Sequence, residues 1–215
     1  MNRSGGTYHR LAFGSDLTIE GDYELSRYVP YYSLPADLAG KTVLDVGTAS
    51  GFWALECARR GATVTAIDIY DEPLIAQVAA ILSVPITYRK LSIYELSASH
   101  GTFDLVICGS LLLHLPDPLG ALRAIRSVCH DQAVVSTAST VYSRFSSRPV
   151  CEFRGRQAAD GAYYHYWEIG AVALRNLLHT AGFSRVPEPR HFLLESEPGR
   201  TRFATPHVVA TAHIE

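Results

Sequence analysis

Short apolar, β-branched runs alternate with amphipathic stretches between residues 42 and 137. Such runs are typical of buried strands, and the stretches between them are typical of helices. The predicted strands span 42–46, 62–68, 86–89, 103–108 and 132–137, and the predicted helices span 54–60, 73–82 and 119–129. This alternation indicates an α/β fold: a doubly wound, mostly parallel sheet covered by helices on both faces.

The last part of the chain has a different pattern. A helix is predicted over 168–180, closed by Gly182, and two strands are predicted over 191–195 and 202–213. The segment 197–199, Glu-Pro-Gly, predicts a tight turn between these strands. Two strands joined by a tight turn are antiparallel, so the sequence predicts an antiparallel C-terminal hairpin.

Two segments show neither the pattern of a strand nor the pattern of a helix. Residues 1–40 are dense in aromatic side chains, which indicates either a strap packed over the core or a lid over a ligand. Residues 138–166 are predicted to be irregular, and irregular stretches of this length are usually functional or disordered. The run of aromatic residues and histidine over 163–167 argues that this second segment is ordered.

Composition narrows the class of protein. The 215 residues, 47% hydrophobic and 19% charged, predict an ordinary globular protein of one domain, with or without a small cap. A net charge of −2 gives no electrostatic reason to expect nucleic acid or an anionic membrane, although four arginines between 144 and 156 could form a local basic patch. The four cysteines have no paired metal-ligand spacing, and no signal or membrane-spanning run is visible. A cytoplasmic protein with buried free thiols is expected.

The first predicted strand leads into a glycine turn and then a helix. Gly47 and Gly51 mark the turn, and Asp68 ends the next strand 21 positions after Gly47. A glycine turn at a helix N-terminus lets backbone approach a ligand, and an acid at this spacing can accept hydrogen bonds from a ribose. The residues between the glycines, 48–50, include no third glycine, which argues against the pyrophosphate of a dinucleotide cofactor.

Three stretches, 43–51, 67–69 and 103–118, resemble the motifs of class I S-adenosylmethionine-dependent methyltransferases. Gly51-Phe52-Trp53 and Leu113-His114-Leu115 are similar to a bacterial branch that contains tRNA wobble-uridine carboxymethyl transferases and small methyltransferases of biosynthetic clusters. The resemblance implies a seven-stranded sheet, S-adenosylmethionine as cofactor and S-adenosylhomocysteine as product. It also divides the chain into an N-terminal lid or strap, 1–40, and a cofactor-binding domain, 41–215, with an acceptor-binding insertion at about 140–167.

The resemblance also implies which residues contact the cofactor. Asp45 either organises the turn amides or reaches the cofactor ammonium group through water. Ile69 is expected against the adenine, and because residues 91–95 offer no acid at the expected place, Ser92 or a backbone group would serve the adenine amine. The full set of cofactor candidates is Asp45, Gly47, Thr48, Ala49, Gly51, Phe52, Asp68, Ile69, Ser92, Ile93, Cys108, Gly109 and Ser110.

Candidates for catalysis follow from position. His114 comes after the fourth strand, at the sheet edge where such folds hold ligands, so it is either a general base or a structural residue. His165, in the aromatic run, is a second candidate base. Aromatic residues would enclose a mid-sized, ring-containing acceptor, with simple packing as the alternative. The predicted substrate-binding residues are Tyr8, His9, Tyr31, Tyr32, Arg144, Tyr164 and Trp167, and no metal is expected.

Three functions are therefore compatible with the sequence. The first is methylation of a small molecule in bacterial specialised metabolism, by a monomer or homodimer. The second is modification of RNA, which would need a basic face. The third is a non-catalytic nucleotide-binding module or a dinucleotide oxidoreductase, the latter disfavoured by the missing glycine.

Overall fold

The computed structural model of the protein describes residues 7–13, 17–71, 73–157, 164–196 and 204–214. In chain order its strands are β1 (Thr7–His9), β2 (Leu11–Phe13), β3 (Leu17–Ile19), β4 (Gly21–Tyr23), β5 (Thr42–Val46), β6 (Thr63–Asp68), β7 (Ile86–Lys90), β8 (Phe103–Gly109), β9 (Cys129–Ala138), β10 (Cys151–Gln157), β11 (Tyr164–Ile169), β12 (Arg190–Glu195) and β13 (Ala204–His213). The α-helices are α1 (Val29–Tyr32), α2 (Phe52–Arg59), α3 (Pro73–Leu82), α4 (Pro118–Val128) and α5 (Ala171–Ala181), with 3₁₀ turns at Leu25–Tyr28, Ile93–Glu95, Ala98–His100, Leu112–His114 and Val141–Phe145.

Seven strands form one sheet in the order β12-β13-β9-β8-β5-β6-β7. Strand β13 is antiparallel to both of its neighbours, and the other pairs in the sheet are parallel. The predicted α/β fold, with a mostly parallel seven-stranded sheet and an antiparallel C-terminal hairpin, is confirmed. The predicted turn at 197–199 and residues 202–203 lie outside the described residues.

The sheet is buried on both faces because helices cover each side. Val43 belongs to a core that includes residues of α2 and α3, whereas its neighbour Leu44 belongs to a core that includes residues of α4 and α5. Strand β5 is therefore buried at every position after Thr42, as expected for a strand with two covered faces. No helix in the described ranges is long and apolar enough to cross a bilayer.

The hairpin β12–β13 extends beyond the carboxyl edge of the parallel strands. His207 pairs with Ala138, the last residue of β9, so the residues of β13 before His207 lie past that edge. Arg190, the first residue of β12, pairs with Val209, which in turn pairs with Ser136. The start of β12 is thus level with the end of β9, where this class of fold holds its ligands.

The prediction of an irregular segment over 138–166 was wrong for residues 151–157 and 164–166, and residues 158–163 lie outside the described residues. Strands β10 and β11 form an antiparallel ribbon with a shift in register after Phe153, near Gly155 at φ +55°. Polar residues pair across the two strands, and Arg154 donates to both Glu168 carboxylate oxygens at 2.8–2.9 Å. Because these residues are charged, the sequence of the ribbon resembles that of a loop. Because pairing continues to Ile169, helix α5 begins at Ala171 and not at the predicted residue 168.

The N-terminal segment is built from small strand pairs. Strand β1 runs parallel to β4, and β2 runs antiparallel to β3. A Cβ atom at Gly21 would lie 2.1 Å from the backbone carbon of His9, so only glycine allows β4 to approach β1 this closely. We call residues 7–13 and 17–32 the strap.

Candidate active site

The turn after β5 forms a tight loop against the end of β6. The amides of Gly47 and Thr48 both donate to the carbonyl oxygen of Ile67, at 2.9 and 3.1 Å. Gly47 and Gly51 have φ values of +72° and +87°, and a Cβ atom at Gly51 would lie 2.2 Å from Ile75 Cδ1. Both glycines are therefore required by backbone conformation, and Gly51 also by the space around it. We call residues 47–51 the glycine loop.

Asp45 braces this loop from below. Its Oδ2 accepts hydrogen bonds from Thr48 Oγ1 at 2.6 Å and from the Ala54 amide at 3.1 Å. The side chain is 1% exposed, and this burial raises its pKa to about 7 although the two hydrogen bonds act in the opposite direction. Asp45 thus joins a side chain of the loop to the first turn of α2, while its two predicted roles, toward the turn amides or the cofactor ammonium group, stay predictions.

Asp68 lies at the end of β6, beside the same loop. Its Oδ2 accepts from the Ala49 amide at 3.0 Å, and its Oδ1 accepts from the Ile69 amide at 2.7 Å. Oδ1 also accepts from the Tyr70 amide at 3.4 Å, whereas Oδ2 keeps a second lone pair that can accept a hydroxyl hydrogen bond. Ile69 is 55% exposed, which leaves an apolar surface next to this acceptor.

The next turn, after β7, is held by its own side chains. Ser92 Oγ accepts from the Tyr94 amide at 3.3 Å, and Glu95 accepts from the Ser92 amide at 3.2 Å. Ile93 is buried in the core. Of the two cofactor candidates here, only Ser92 is placed near the surface.

The end of β8 meets the glycine loop. The Ser110 amide donates to both the carbonyl and the hydroxyl oxygen of Ser136, at 3.0 and 3.1 Å. A Cβ atom at Gly47 would lie 2.9 Å from the Leu111 side chain. Cys108 is fully buried in the core, so its backbone and not its thiol faces this edge.

An enclosed cavity of about 20 Å³ lies between the strap and this edge of the sheet. It is lined largely by rings, among them Tyr8, His9, Tyr32, Trp53 and Phe192, together with Ser110. A volume of this size holds about one water molecule. We call it the aromatic cavity.

The strap is fastened to the glycine loop through Ser50. Ser50 Oγ accepts from the Tyr8 amide at 3.0 Å and from the His9 amide at 3.3 Å, and the side chain is 4% exposed. At its other end, Tyr32 places its ring centroid 3.9 Å from that of Trp53 and shares a 2.6 Å hydrogen bond with Ser136. The strap therefore closes over the loop in this conformation.

His114 lies in the 3₁₀ turn after β8 and is held by strand β11. Its Nδ1 is 2.8 Å from the carbonyl oxygen of Tyr164. A carbonyl only accepts, so Nδ1 carries the proton and Nε2 carries the lone pair. Burial lowers the pKa of His114, and His165 acts in the same direction, which favours the neutral ring.

The predicted catalytic and substrate-binding residues fall into three groups. His114, His165, Tyr164 and Trp167 gather where β11 meets the loop after β8, and Trp167 Nε1 donates to Pro116 O at 3.3 Å. Tyr8, His9 and Tyr32 line the aromatic cavity. Tyr31 and Arg144 line a separate open cleft with Pro30, Arg190 and His191.

A family model described as a methyltransferase domain matches residues 18–188, most of the chain. The chain belongs to the methyltransferase domain family. The chain is 34% identical over 158 residues to a protein of Xanthomonas euvesicatoria pv. vesicatoria named ubiquinone biosynthesis O-methyltransferase, a match that covers 71% of this chain. The chain spans between 40% and 66% of the length of such curated relatives.

Solved structures share the fold of this chain. The Burkholderia thailandensis 1,6-didemethyltoxoflavin-N1-methyltransferase, crystallised with bound 1,6-didemethyltoxoflavin and S-adenosylhomocysteine, has a TM-score of 0.58 at 21% identity, and the match covers 81% of this chain and 71% of the other. The N-terminal domain of EvdMO1, crystallised in the presence of S-adenosylhomocysteine and D-fucose, has a TM-score of 0.68 at 19% identity and covers 96% and 90%. Together with the family match, they confirm the resemblance to Rossmann-like S-adenosylmethionine-dependent methyltransferases.

Several residues of the methyltransferase's site were not predicted from its sequence. Ser50 and Ser136 gave only a weak signal, as hydroxyls at the end of an otherwise apolar or glycine-rich stretch. Trp53 was noted as part of a motif, but its position between Tyr32 and Gly109 depends on the packing of the strap. Phe192 reaches the cavity from β12, far along the chain.

Proposed function

We propose that this protein transfers the methyl group of S-adenosylmethionine to an oxygen atom of a small, ring-containing molecule. The observation that carries the proposal is the glycine loop, braced by Asp45, flanked by Asp68 and joined through Ser50 to residues that line an aromatic cavity. That arrangement provides close backbone approach and an acceptor for a ribose, without a third glycine for a pyrophosphate.

The residues at the loop fit this cofactor. Asp68 would hold the ribose hydroxyls, and the exposed side chain of Ile69 would cover the adenine. Gly109 lets the Trp53 indole pack against the end of β8, because a Cβ atom there would lie 2.6 Å from Trp53 Nε1. When bound, S-adenosylmethionine supplies an electrophilic methyl group on a positively charged sulfur atom.

His114 would act as the base. An acceptor hydroxyl would become nucleophilic as its proton passes to His114 Nε2. The oxygen would bond to the methyl carbon as the bond from that carbon to the cofactor sulfur breaks, with S-adenosylhomocysteine as the leaving group. The hydrogen bond from Nδ1 to Tyr164 holds the ring in the tautomer that this step needs. Most of the acceleration would come from alignment of the two reactants and exclusion of water.

The strap would provide that exclusion. The aromatic cavity has room for about one water molecule, which is too little for a ring-containing acceptor, so the strap must move outward for substrate to enter. The two hydrogen bonds at Ser50 are the contacts it would break and re-form. This supports a lid role for residues 1–40, the second of the two roles that the aromatic pattern indicated.

Oxygen as the acceptor atom is supported by the names of the curated relatives. Those names refer to ubiquinone biosynthesis, whereas the sequence favoured specialised metabolism; the proposal keeps the chemistry common to both, a small ring-containing hydroxyl compound. The RNA alternative is weakened by Arg154, one of the four arginines of the expected basic patch, because its charge is neutralised by Glu152 and Glu168.

Calorimetry on the full chain tests the cofactor. S-adenosylmethionine and S-adenosylhomocysteine should bind, and Asp68→Asn should weaken binding about tenfold or more, because it removes the charge that accepts from the ribose. Asp71→Asn is the matched control, since Asp71 pairs with Lys90 on the surface and does not bond to the loop. Tight binding of NADH, with no response to the two sulfur compounds, would overturn the proposal.

A further inference from the structure

The methyltransferase carries an open cleft of about 450 Å³ lined by Pro30, Tyr31, Arg144, Arg190 and His191, which we call the basic cleft. Its volume is within the range of small-molecule sites, roughly 300–1,000 Å³. Three separate elements build it: α1 of the strap, the 3₁₀ turn after β9, and the start of β12. Two of its five residues are arginines, in a chain whose formal net charge is −2.

The two arginines differ from Arg60, Arg154 and Arg175 because no carboxylate in the described residues neutralises them. Arg60, Arg154 and Arg175 each lie within 2.8 Å of a glutamate oxygen. In the described residues neither Arg144 nor Arg190 has a carboxylate partner; Arg190 Nη1 donates instead to the Pro30 carbonyl at 3.1 Å. That bond holds one guanidinium on the cleft wall and leaves its other N–H groups for a ligand.

Arg144 places a positive charge at the cleft, and the turn that carries this residue is anchored by hydrogen bonds. The pKa of His191 is lowered by burial first and then by the charge of Arg144, while Glu188, the acid that opposes this, itself pairs with Arg175 at 2.6 Å. The turn that carries Arg144 is anchored by the buried Ser143, whose hydroxyl bonds to Thr140 O and Ser139 Oγ at 2.7 Å.

The basic cleft adjoins the aromatic cavity. The ring of Tyr31, on the cleft side, lies 5.3 Å from the ring of Phe192, which lines the cavity. The next residue along α1, Tyr32, lines the cavity and bonds to Ser136 at the sheet edge. A molecule with its reacting ring in the cavity could therefore extend a substituent past Tyr31 into the cleft.

We propose that the basic cleft binds an anionic group, a carboxylate or a phosphate, of the methyl acceptor through Arg144 and Arg190. Arginine forks bind such groups through paired, charge-assisted hydrogen bonds, and Tyr31 offers a ring face beside them. The acceptor is then an aromatic acid or an aryl phosphate and not a neutral phenol. This inference rests on the proposed function only for the identification of the ligand as the acceptor.

The test uses the full chain and four probes: benzoate, phenyl phosphate, neutral benzamide and S-adenosylhomocysteine. In calorimetry, benzoate or phenyl phosphate should bind more tightly than benzamide, and the tighter of the two identifies the anionic group. Arg144→Gln and Arg190→Gln should each weaken anion binding roughly 10- to 100-fold, as expected for loss of a charged hydrogen-bond donor. Arg190→Lys should restore part of the loss because it keeps the charge.

Arg148→Gln is the matched control, an exposed arginine four residues from Arg144 that does not line the basic cleft. Anion binding that equals benzamide binding, or equal losses in Arg148→Gln and the cleft variants, would overturn the inference. S-adenosylhomocysteine titrated into the same samples separates the two proposals. If S-adenosylhomocysteine binds but benzoate and phenyl phosphate bind no more tightly than benzamide, only the inference about the basic cleft is refuted. If the anions bind preferentially but S-adenosylhomocysteine does not bind, only the proposed function is refuted.

Discussion

Replacing Asp45 by asparagine should stabilise the protein in a way that depends on pH. The carboxyl is 1% exposed, and burial raises its pKa from 3.8 to about 7. A folded-state pKa above the unfolded value means that the folded state favours the protonated acid. In the wild type, the protonated Asp45 carboxyl therefore makes its full contribution to the stability of the folded state below about pH 4. This contribution is lost as pH rises to about 7. Asparagine has nearly the same shape, can still accept from Thr48 or Ala54, and carries no charge at any pH.

The magnitude follows from the two pKa values. Each pKa unit corresponds to 1.36 kcal/mol, so ionising this buried group costs about 4 kcal/mol at pH 8 but less than half of that at pH 5. The stability of Asp45→Asn relative to the wild type should therefore grow by about 3 kcal/mol between pH 5 and pH 8. Any weakening of the hydrogen bonds to Thr48 and Ala54 adds an offset that does not change with pH.

Urea unfolding at pH 5, 6, 7 and 8 measures this difference, with Asp131→Asn as a control for loss of an exposed carboxylate. The change in the difference with pH, and not its value at one pH, tests the reasoning. Parallel stability curves for the wild type and Asp45→Asn would show that the buried carboxyl does not resist ionisation.

Three further variants test other parts of the site. Ser50→Ala removes the acceptor of the Tyr8 and His9 amides, so it should lower hydrogen-exchange protection of these amides by about 1–3 kcal/mol; unchanged protection would show that Ser50 does not hold the strap. His114→Gln should lower methyl transfer about 100-fold or more with unchanged S-adenosylhomocysteine affinity. Because burial lowers the pKa of His114, the wild-type rate should decrease on acidification only at pH values below the ordinary histidine pKa of 6.5. Full turnover of the variant at every pH would make His114 structural. Gly109→Ala should displace the Trp53 indole, which would lie 2.6 Å from the new Cβ, and lower the free energy of unfolding by about 1–3 kcal/mol; an unchanged urea midpoint and tryptophan spectrum would contradict this packing.

The parts of the fold that depend on local pattern could be predicted from the sequence. Strand β5, the glycine loop and Asp68 are close together in the chain, and each has a conformational or burial requirement visible in its residue types. The mostly parallel sheet could be predicted because strands that alternate with helices form a parallel sheet covered on both faces.

The parts that depend on distant pairing could not be predicted. In the ribbon β10–β11, the polar residues Arg154 and Glu168 pair across the strands, so neither strand has the apolar alternation that marks a half-buried strand. The strap is attached through the Ser50 hydroxyl to the amides of Tyr8 and His9, which are 42 and 41 positions away in the sequence. The basic cleft likewise combines α1 with β12, 160 positions along the chain from Pro30 to Arg190.

Transfer of a labelled methyl group tests the central claim most directly. The full chain would be incubated with methyl-tritiated S-adenosylmethionine and a set of small phenols, phenolic acids and aryl phosphates, with total RNA as a separate arm. Label should enter a small ring-containing hydroxyl compound, and His114→Gln should abolish most of this transfer. Label that enters RNA alone, or no transfer by a protein that binds S-adenosylhomocysteine, would contradict the proposed function.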